Sequence, residues 1–408
     1  MGRLISGRKR IVMITQDVEV TRRILQEAHS LMDAGYQVKI ITRSASTRDS
    51  RGETAGIPIE YVAVRGRDKR FRWLYRLAGE ARGTSAAALW SVLTMRHTFA
   101  MRVLPRAIRE GADVYHSHDL NNLEVAWRAS RSTGGKLVYD AHELFAEMAN
   151  RWVRMRRGGW RRLEQRLLPQ ADLTFTVNEL IAEEMARRYG VARPTVLLNC
   201  PEPPATFDSG AGYDLIREHL SLSPERKIVL YQGWMSEGRG LENLVRSAPL
   251  LSAGAVVVFM GYGEYQGKLE RLVSEVGGGR VAFIPAVTQR ELLAYCASAD
   301  VGVIPYQAVD LNNYYTSPNK LFDFIQAALP VVASDLPFLR KVIVEHGIGV
   351  VARLDSPESY ARAINGVLDR PDAGTDLREH ARSAARYFTW SAQAEKLVSS
   401  YHDMLAGS

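Results

Sequence analysis

An alternation that runs through the chain twice constrains its fold more than any other feature: short apolar runs give way, again and again, to helices with one apolar face. In the first half the runs fall at 10–15, 37–42, 59–64, 113–118, 136–139, 172–177 and 195–198. Between the first two, Ile24, Ala28, Leu31 and Met32 recur at helical spacing and Gly35 ends the helix. The segment 201–214, PEPPATFDSGAGYD, is rich in Pro and Gly and reads as a linker. Beyond it, runs at 227–232, 255–260, 281–284, 301–304 and 330–333 restart the pattern, and a helix at 390–405 follows a short break. Strands alternating with helices build parallel sheets covered on both faces. The expectation is an α/β chain of two doubly wound, Rossmann-like domains. Their bounds are 1–200 and 215–385, joined by 201–214, with 386–408 as a closing segment. The polar stretch 44–56 reads as a mobile surface loop.

A length of 408 residues also favours two domains. Apolar residues at 46% and charged ones at 24% describe a soluble globular protein and exclude a fibrous or disordered one. Cys200 and Cys296 stand far apart with no metal-ligand spacing, which fits a reducing, cytoplasmic setting. No apolar run reaches the roughly 18 residues of a membrane-spanning helix. The net charge of +8 is unevenly shared. Residues 1–200 carry 34 Lys and Arg against 21 Asp and Glu, and residues 201–408 carry 19 against 24. The first half therefore attracts anions and the second does not.

Within the second half, 313–335 reads NYYTSPNKLFDFIQAALPVVASD. Thr316, Ser317 and Pro318 have the composition of a helix start, a hydroxyl cap followed by proline. Leu321, Phe322, Ile325 and Leu329 then face inward, and Pro330 stops the helix before an apolar strand. Lys320 and Asp323 lie three apart, so both can face one ligand, and a helix start at a sheet edge suits an anion. The plainer reading is a polar turn over a core helix. In YQGWMSEGRGLENLV, Gly233, Gly238 and Gly240 let backbone approach a ligand, and Arg239 offers a planar cation suited to phosphate. Gly261 and Gly263 follow another strand, but Gln266 stands where a dinucleotide fingerprint needs its third glycine. In the first half His116, His118 and Asp119 cluster at the end of one strand, and Asp140, His142 and Glu143 at the end of the next.

SPNKLFDFIQAALPVVASDLPFLRKVI resembles the donor-site segment of retaining glycosyltransferases of the GT-B fold, family 4. The resemblance implies two Rossmann-like domains facing each other across a cleft, the closing helix crossing back to the first. It implies a nucleotide-diphosphate sugar as donor and no cofactor or metal. Of the family's two glutamates here, the ribose-binding second aligns with Asp323, and the first, which contacts the sugar, falls at Tyr315. The family's basic pair for the pyrophosphate falls at Trp234 and Arg239, so Lys320 takes over part of the missing charge. On the same resemblance Gly233, Gly238, Gly261, Gly263, Val287, Thr316, Ser317 and Asn319 border the donor. Asp119, Asn121, His142 and Glu143 lie on the acceptor side, and His118, Arg239 and Lys320 carry the chemistry. Retention is implied by front-face displacement, with no enzyme nucleophile.

Two basic stretches interleaved with aromatics, 65–110 and 151–166, have the composition of an interfacial surface. They predict contact with an anionic membrane from the cytoplasmic side, and the acceptor is then a glycan or lipid-linked precursor. A plain solvated face is the competing account; a nucleic-acid partner is not expected, since no binding module is present. Besides the transferase, a GT-B epimerase or phosphorylase and a catalytically degenerate partner subunit remain open, the latter because Tyr315 replaces a glutamate.

Overall fold

The computed structural model describes residues 8–64, 85–370 and 374–407. The chain forms two compact units, one of 1–197 with 393–408 and one of 198–392. The segment 201–214, expected as a linker, thus falls inside the second unit, and the end of the closing helix belongs to the first.

Among the described residues the first unit is built on eight strands: β1 (Arg10–Ile14), β2 (Gln37–Arg43), β3 (Ser50–Thr54), β4 (Ile57–Val62), β5 (Val114–His118), β6 (Lys136–Ala141), β7 (Leu173–Thr176) and β8 (Thr195–Val196). Their order is β3-β4-β2-β1-β5-β6-β7-β8, parallel except for β3. Ile11, Val12, Met13 and Ile14 in β1 are all buried, as a strand covered on both faces requires. The segment 44–56 is not the loop expected: β3 lies within it, antiparallel to β4. Its residues are almost all exposed, so an edge strand wet on both faces carries no apolar alternation to read.

The second unit holds β9 (Lys227–Trp234), β10 (Ala255–Tyr262), β11 (Val281–Pro285), β12 (Val301–Ile304), β13 (Val331–Ser334) and β14 (Gly349–Ala352). All pair in parallel, in the order β11-β10-β9-β12-β13-β14. The strand order reverses between β1 and β5 in one unit and between β9 and β12 in the other, and ligands of open α/β sheets settle at such points. The helix Asn319–Gln326 begins after Pro318, and no side chain caps it, so the hydroxyls of Thr316 and Ser317 do not serve as expected. Leu321, Phe322, Ile325 and Leu329 are buried as read from their spacing, but so are Lys320, Asp323 and Gln326. This helix is enclosed nearly all round. No helix among the described residues is long and apolar enough to cross a membrane.

Candidate functional site

In the second unit the polar centre lies where β9 and β12 end. Tyr231 and Gln232 lie on β9, Gly233 follows them, and Tyr306 stands two residues past β12. Gly261 pairs in register with Gly233 across the β9–β10 ladder, and a Cβ on Gly261 would collide with the Gly233 carbonyl. The two strands therefore come close here only because Gly261 has no side chain. Lys320 Nζ would lie 3.9 Å from a Cβ built on Gly233 and sits 3.5 Å from the Tyr231 ring centroid. It is 5.0 Å from the Tyr306 centroid, and the Arg239 guanidinium lies 3.9 Å over the same ring. Asp323 accepts a hydrogen bond from Gln232 Nε2 at 3.0 Å, which ties the helix to β9.

Lys320 is buried, and its ammonium has no hydrogen-bond partner among the described residues. Burial, with Arg239 nearby, pushes it well below the ordinary lysine range, and Asp323 opposes this only in part. The Ser317 hydroxyl is also buried and has no hydrogen-bond partner among the described residues. Leaving an ammonium so costs several kcal/mol by order of magnitude unless something anionic meets it. The remaining expected donor residues lie in the same unit. The Gly238 carbonyl accepts from Gln307 N at 3.2 Å, and Gly263 follows β10. Val287, Tyr315 and Thr316 are half-buried, with Tyr315 packed on Tyr314 at 5.2 Å, and Asn319 is exposed at the helix start. Tyr231, Tyr306 and Gln232 escaped the sequence reading, because nothing in a strand's periodicity says which aromatic will meet a cation.

In the first unit His116 and His118 alternate on β5, so both rings point to one face, stacked at 4.4 Å and 24°. Arg23 and Glu27 of the helix Arg22–Asp33 and Tyr401 of the helix Trp390–Ala406 cover that face, all fully buried. Arg23 donates to both oxygens of Asp140 at 2.8 Å and lies 2.9 Å from Glu27. Asp140 Oδ2 also lies 2.8 Å from His142 Nε2 and 3.4 Å from His118 Nδ1. His118 Nδ1 and His142 Nε2 are 3.2 Å apart, and the Tyr401 hydroxyl is 2.8 Å from His116 Nδ1.

Burial pushes His116 and His118 below the usual imidazole range and Glu27 well above the carboxylate range. Asp140 is held well below its ordinary value against its own burial, by Arg23 and His142. Burial would lower His142 too, but Asp119 and Asp140 push it up to about 9. His118 is enclosed, whereas His142 and Asp119 keep 19% and 23% of their side chains exposed, so these two meet the solvent. Asp119 sits at φ 64, ψ 160, a region almost reserved for glycine, and its carboxylate accepts from His142 N at 3.2 Å. Asn121 is half-buried and accepts from Asn122 Nδ2 at 2.8 Å, and Glu143 is half-buried with its carbonyl accepting from Phe145 N. Ligand atoms of Glu27, His116, His118 and Asp140 lie within 4.8 Å of one another, the one such set among the described residues. Arg23 already ion-pairs with both carboxylates, and the two imidazoles lie face to face rather than converging on a shared ion.

Of the basic stretches, 65–84 lies outside the described residues. In 151–166, Trp160 turns inward onto Phe145 at 4.9 Å, while Arg157 and Arg161 turn to Glu147, leaving Met155 exposed among the arginines.

Residues 19–201 match the family described as Glycosyl transferase 4-like domain, and residues 226–370 match Glycosyl transferases group 1. The chain is 24% identical to a D-inositol 3-phosphate glycosyltransferase of Corynebacterium aurimucosum, over 94% of this chain and 90% of that protein. It is 26% identical to one of Salinispora tropica, over 94% and 80%. Among solved structures, the sucrose-phosphate synthase of Thermosynechococcus elongatus superposes with a TM-score of 0.75 at 19% identity, covering 98% of this chain and all of that one. Anabaena Alr3699/HepE in complex with UDP-glucose superposes with 0.72 at 14%, covering 97% and 99%.

Proposed function

Since the chain belongs to the group 1, family 4 glycosyltransferases and has their GT-B fold, we propose that it transfers a sugar from a nucleotide-diphosphate donor to a phosphate-bearing acceptor, with retention at the anomeric carbon. The observation that carries the donor half is the buried Lys320 ammonium, without a hydrogen-bond partner among the described residues, beside Gly233 and with Arg239 over the neighbouring Tyr306 ring. A bound diphosphate favours the charged form of Lys320 that burial disfavours, and that ammonium with the Arg239 guanidinium meets the charge on the leaving group without a divalent ion. We assign the ribose to Asp323 on its alignment with the family's second glutamate. The acceptor hydroxyl meets Asp119 and His142, with His118 behind them.

The acceptor class rests on two supports. The relatives above are named for an inositol phosphate, and the excess of basic residues in 1–200 favours an anion of this or of the lipid-linked kind. A cytoplasmic enzyme resting on the membrane surface suits the second of these.

A thermal-shift screen against UDP, GDP, dTDP and ADP and their sugar conjugates, followed by transfer assays with inositol phosphate and with lipid-linked acceptors, tests the reading. One nucleotide should raise the melting temperature selectively, and turnover should survive EDTA. Arg239→Ala should lower turnover at least about tenfold, the loss of one charge-assisted contact in the transition state. Near-normal turnover would remove that role. No shift with any nucleotide in a folded sample would favour the degenerate partner subunit that Tyr315 makes the competing account.

A further inference from the structure

Lys320 and Arg239 bring like charge to one place, and both lean on one ring. The guanidinium lies 3.9 Å from the Tyr306 centroid and the ammonium 5.0 Å from it, with Tyr231 on the ammonium's other contact at 3.5 Å. Tyr306 is 7% exposed and Tyr231 fully buried. The rings come from the two neighbouring strands at the point where the sheet order reverses, β9 and the residues just past β12. The Tyr231 hydroxyl donates to the Trp234 carbonyl at 2.6 Å, so the cation meets its ring face rather than its oxygen.

The helix bearing Lys320 is fixed at this distance by packing. Phe324, one turn on from Lys320, lies against Gly302 of β12, where a Cβ would come within 2.6 Å of the ring. Any larger residue there would push the helix, and the ammonium with it, away from the tyrosines.

A buried ammonium beside a half-buried guanidinium is repelled by it, and burial drives the ammonium to lose its proton. Asp323 relieves this only in part, and a carboxylate between the two cations would compete with an entering phosphate. An aromatic face attracts a cation through its quadrupole and carries no charge to be displaced. We propose that Tyr306 is a positioning residue of the donor site, its ring holding Arg239 and Lys320 as a charged pair that stays open to the diphosphate. The inference rests on the reading that this site takes a nucleoside diphosphate, and it adds to that reading the means by which the pair is kept ready.

Calorimetric titration tests it, with whichever of UDP, GDP, dTDP and ADP stabilises the wild type most, and with the matching nucleoside as control. Tyr306→Phe keeps the ring and should bind within about twofold of wild type. Tyr306→Leu removes the ring and should weaken diphosphate binding by at least about tenfold while leaving the nucleoside unchanged. Tyr306→Met stands in where the leucine variant fails to fold. Wild-type affinity in the ring-less variant would overturn the proposal, as would a phenylalanine variant as weak as leucine. A wild type that binds no nucleoside diphosphate would overturn the donor-site reading and this proposal together.

Discussion

At the scale of single residues, His142 shows how a charge network sets a dependence on pH. Asp119 and Asp140 push its folded value up to about 9, from an ordinary 6.5. A raised histidine contributes stability that is fully present below about pH 6.5 and is lost as pH rises through about 9. The difference corresponds to about 3 kcal/mol at most. Urea titrations at pH 6 and pH 9.5 should therefore show wild type losing more stability over that span than His142→Gln does. Equal losses in the two proteins would mean that the carboxylates do not hold the imidazolium. Asp119 and His142 were legible as candidates from their place after two strands. Their solvent exposure beside an enclosed His118 was not, because burial is decided by helices far away in sequence.

Among the elements, the helix Trp390–Ala406 stands out, since it supplies Tyr401 to the buried face of β5. The phenol stays neutral, because burial raises it well above its ordinary value. It shares a hydrogen bond with His116 Nδ1 at 2.8 Å, and His116 Nε2 on the other side of the ring lies 3.7 Å from Glu27. Tyr401→Phe leaves Nδ1 buried and unpaired, and should cost about 1–2 kcal/mol of stability in urea unfolding. An unchanged transition would show that the hydroxyl contributes nothing. The alternation of apolar runs carried nearly all of the strands and the βα order, since parallel strands covered on both faces must be apolar. It missed β3, a polar edge strand, and β14, four half-buried residues. The helix Asn319–Gln326 was legible by its inner face alone. Its polar side is held by distant partners: Gln232 on Asp323, and the carbonyls of Ala385 and Phe388 accepting from Gln326. No local pattern announces such partners.

For the whole molecule, the excess of 34 basic over 21 acidic residues in 1–200 is the property that reaches farthest from the chemistry. With Met155 exposed among arginines and Trp160 turned inward, the described part of 151–166 offers charge more than apolar area. Binding to vesicles should then require anionic lipid and fall away as salt rises past roughly 0.15 M, where the Debye length is near 8 Å. Co-sedimentation with neutral and anionic vesicles checks this, and pelleting that ignores salt would point to insertion of apolar side chains instead.

The first unit takes its sheet from 1–197 and its cover from 393–408, with the whole second unit between them in the sequence. His116 and Tyr401 are 285 residues apart, so on the ribosome the histidine leaves the exit tunnel long before its lid. A chain paused anywhere in the second unit presents a finished sheet whose histidine face has Arg23 and Glu27 over it but still lacks Tyr401. That interval makes the first unit, although made first, the last to close.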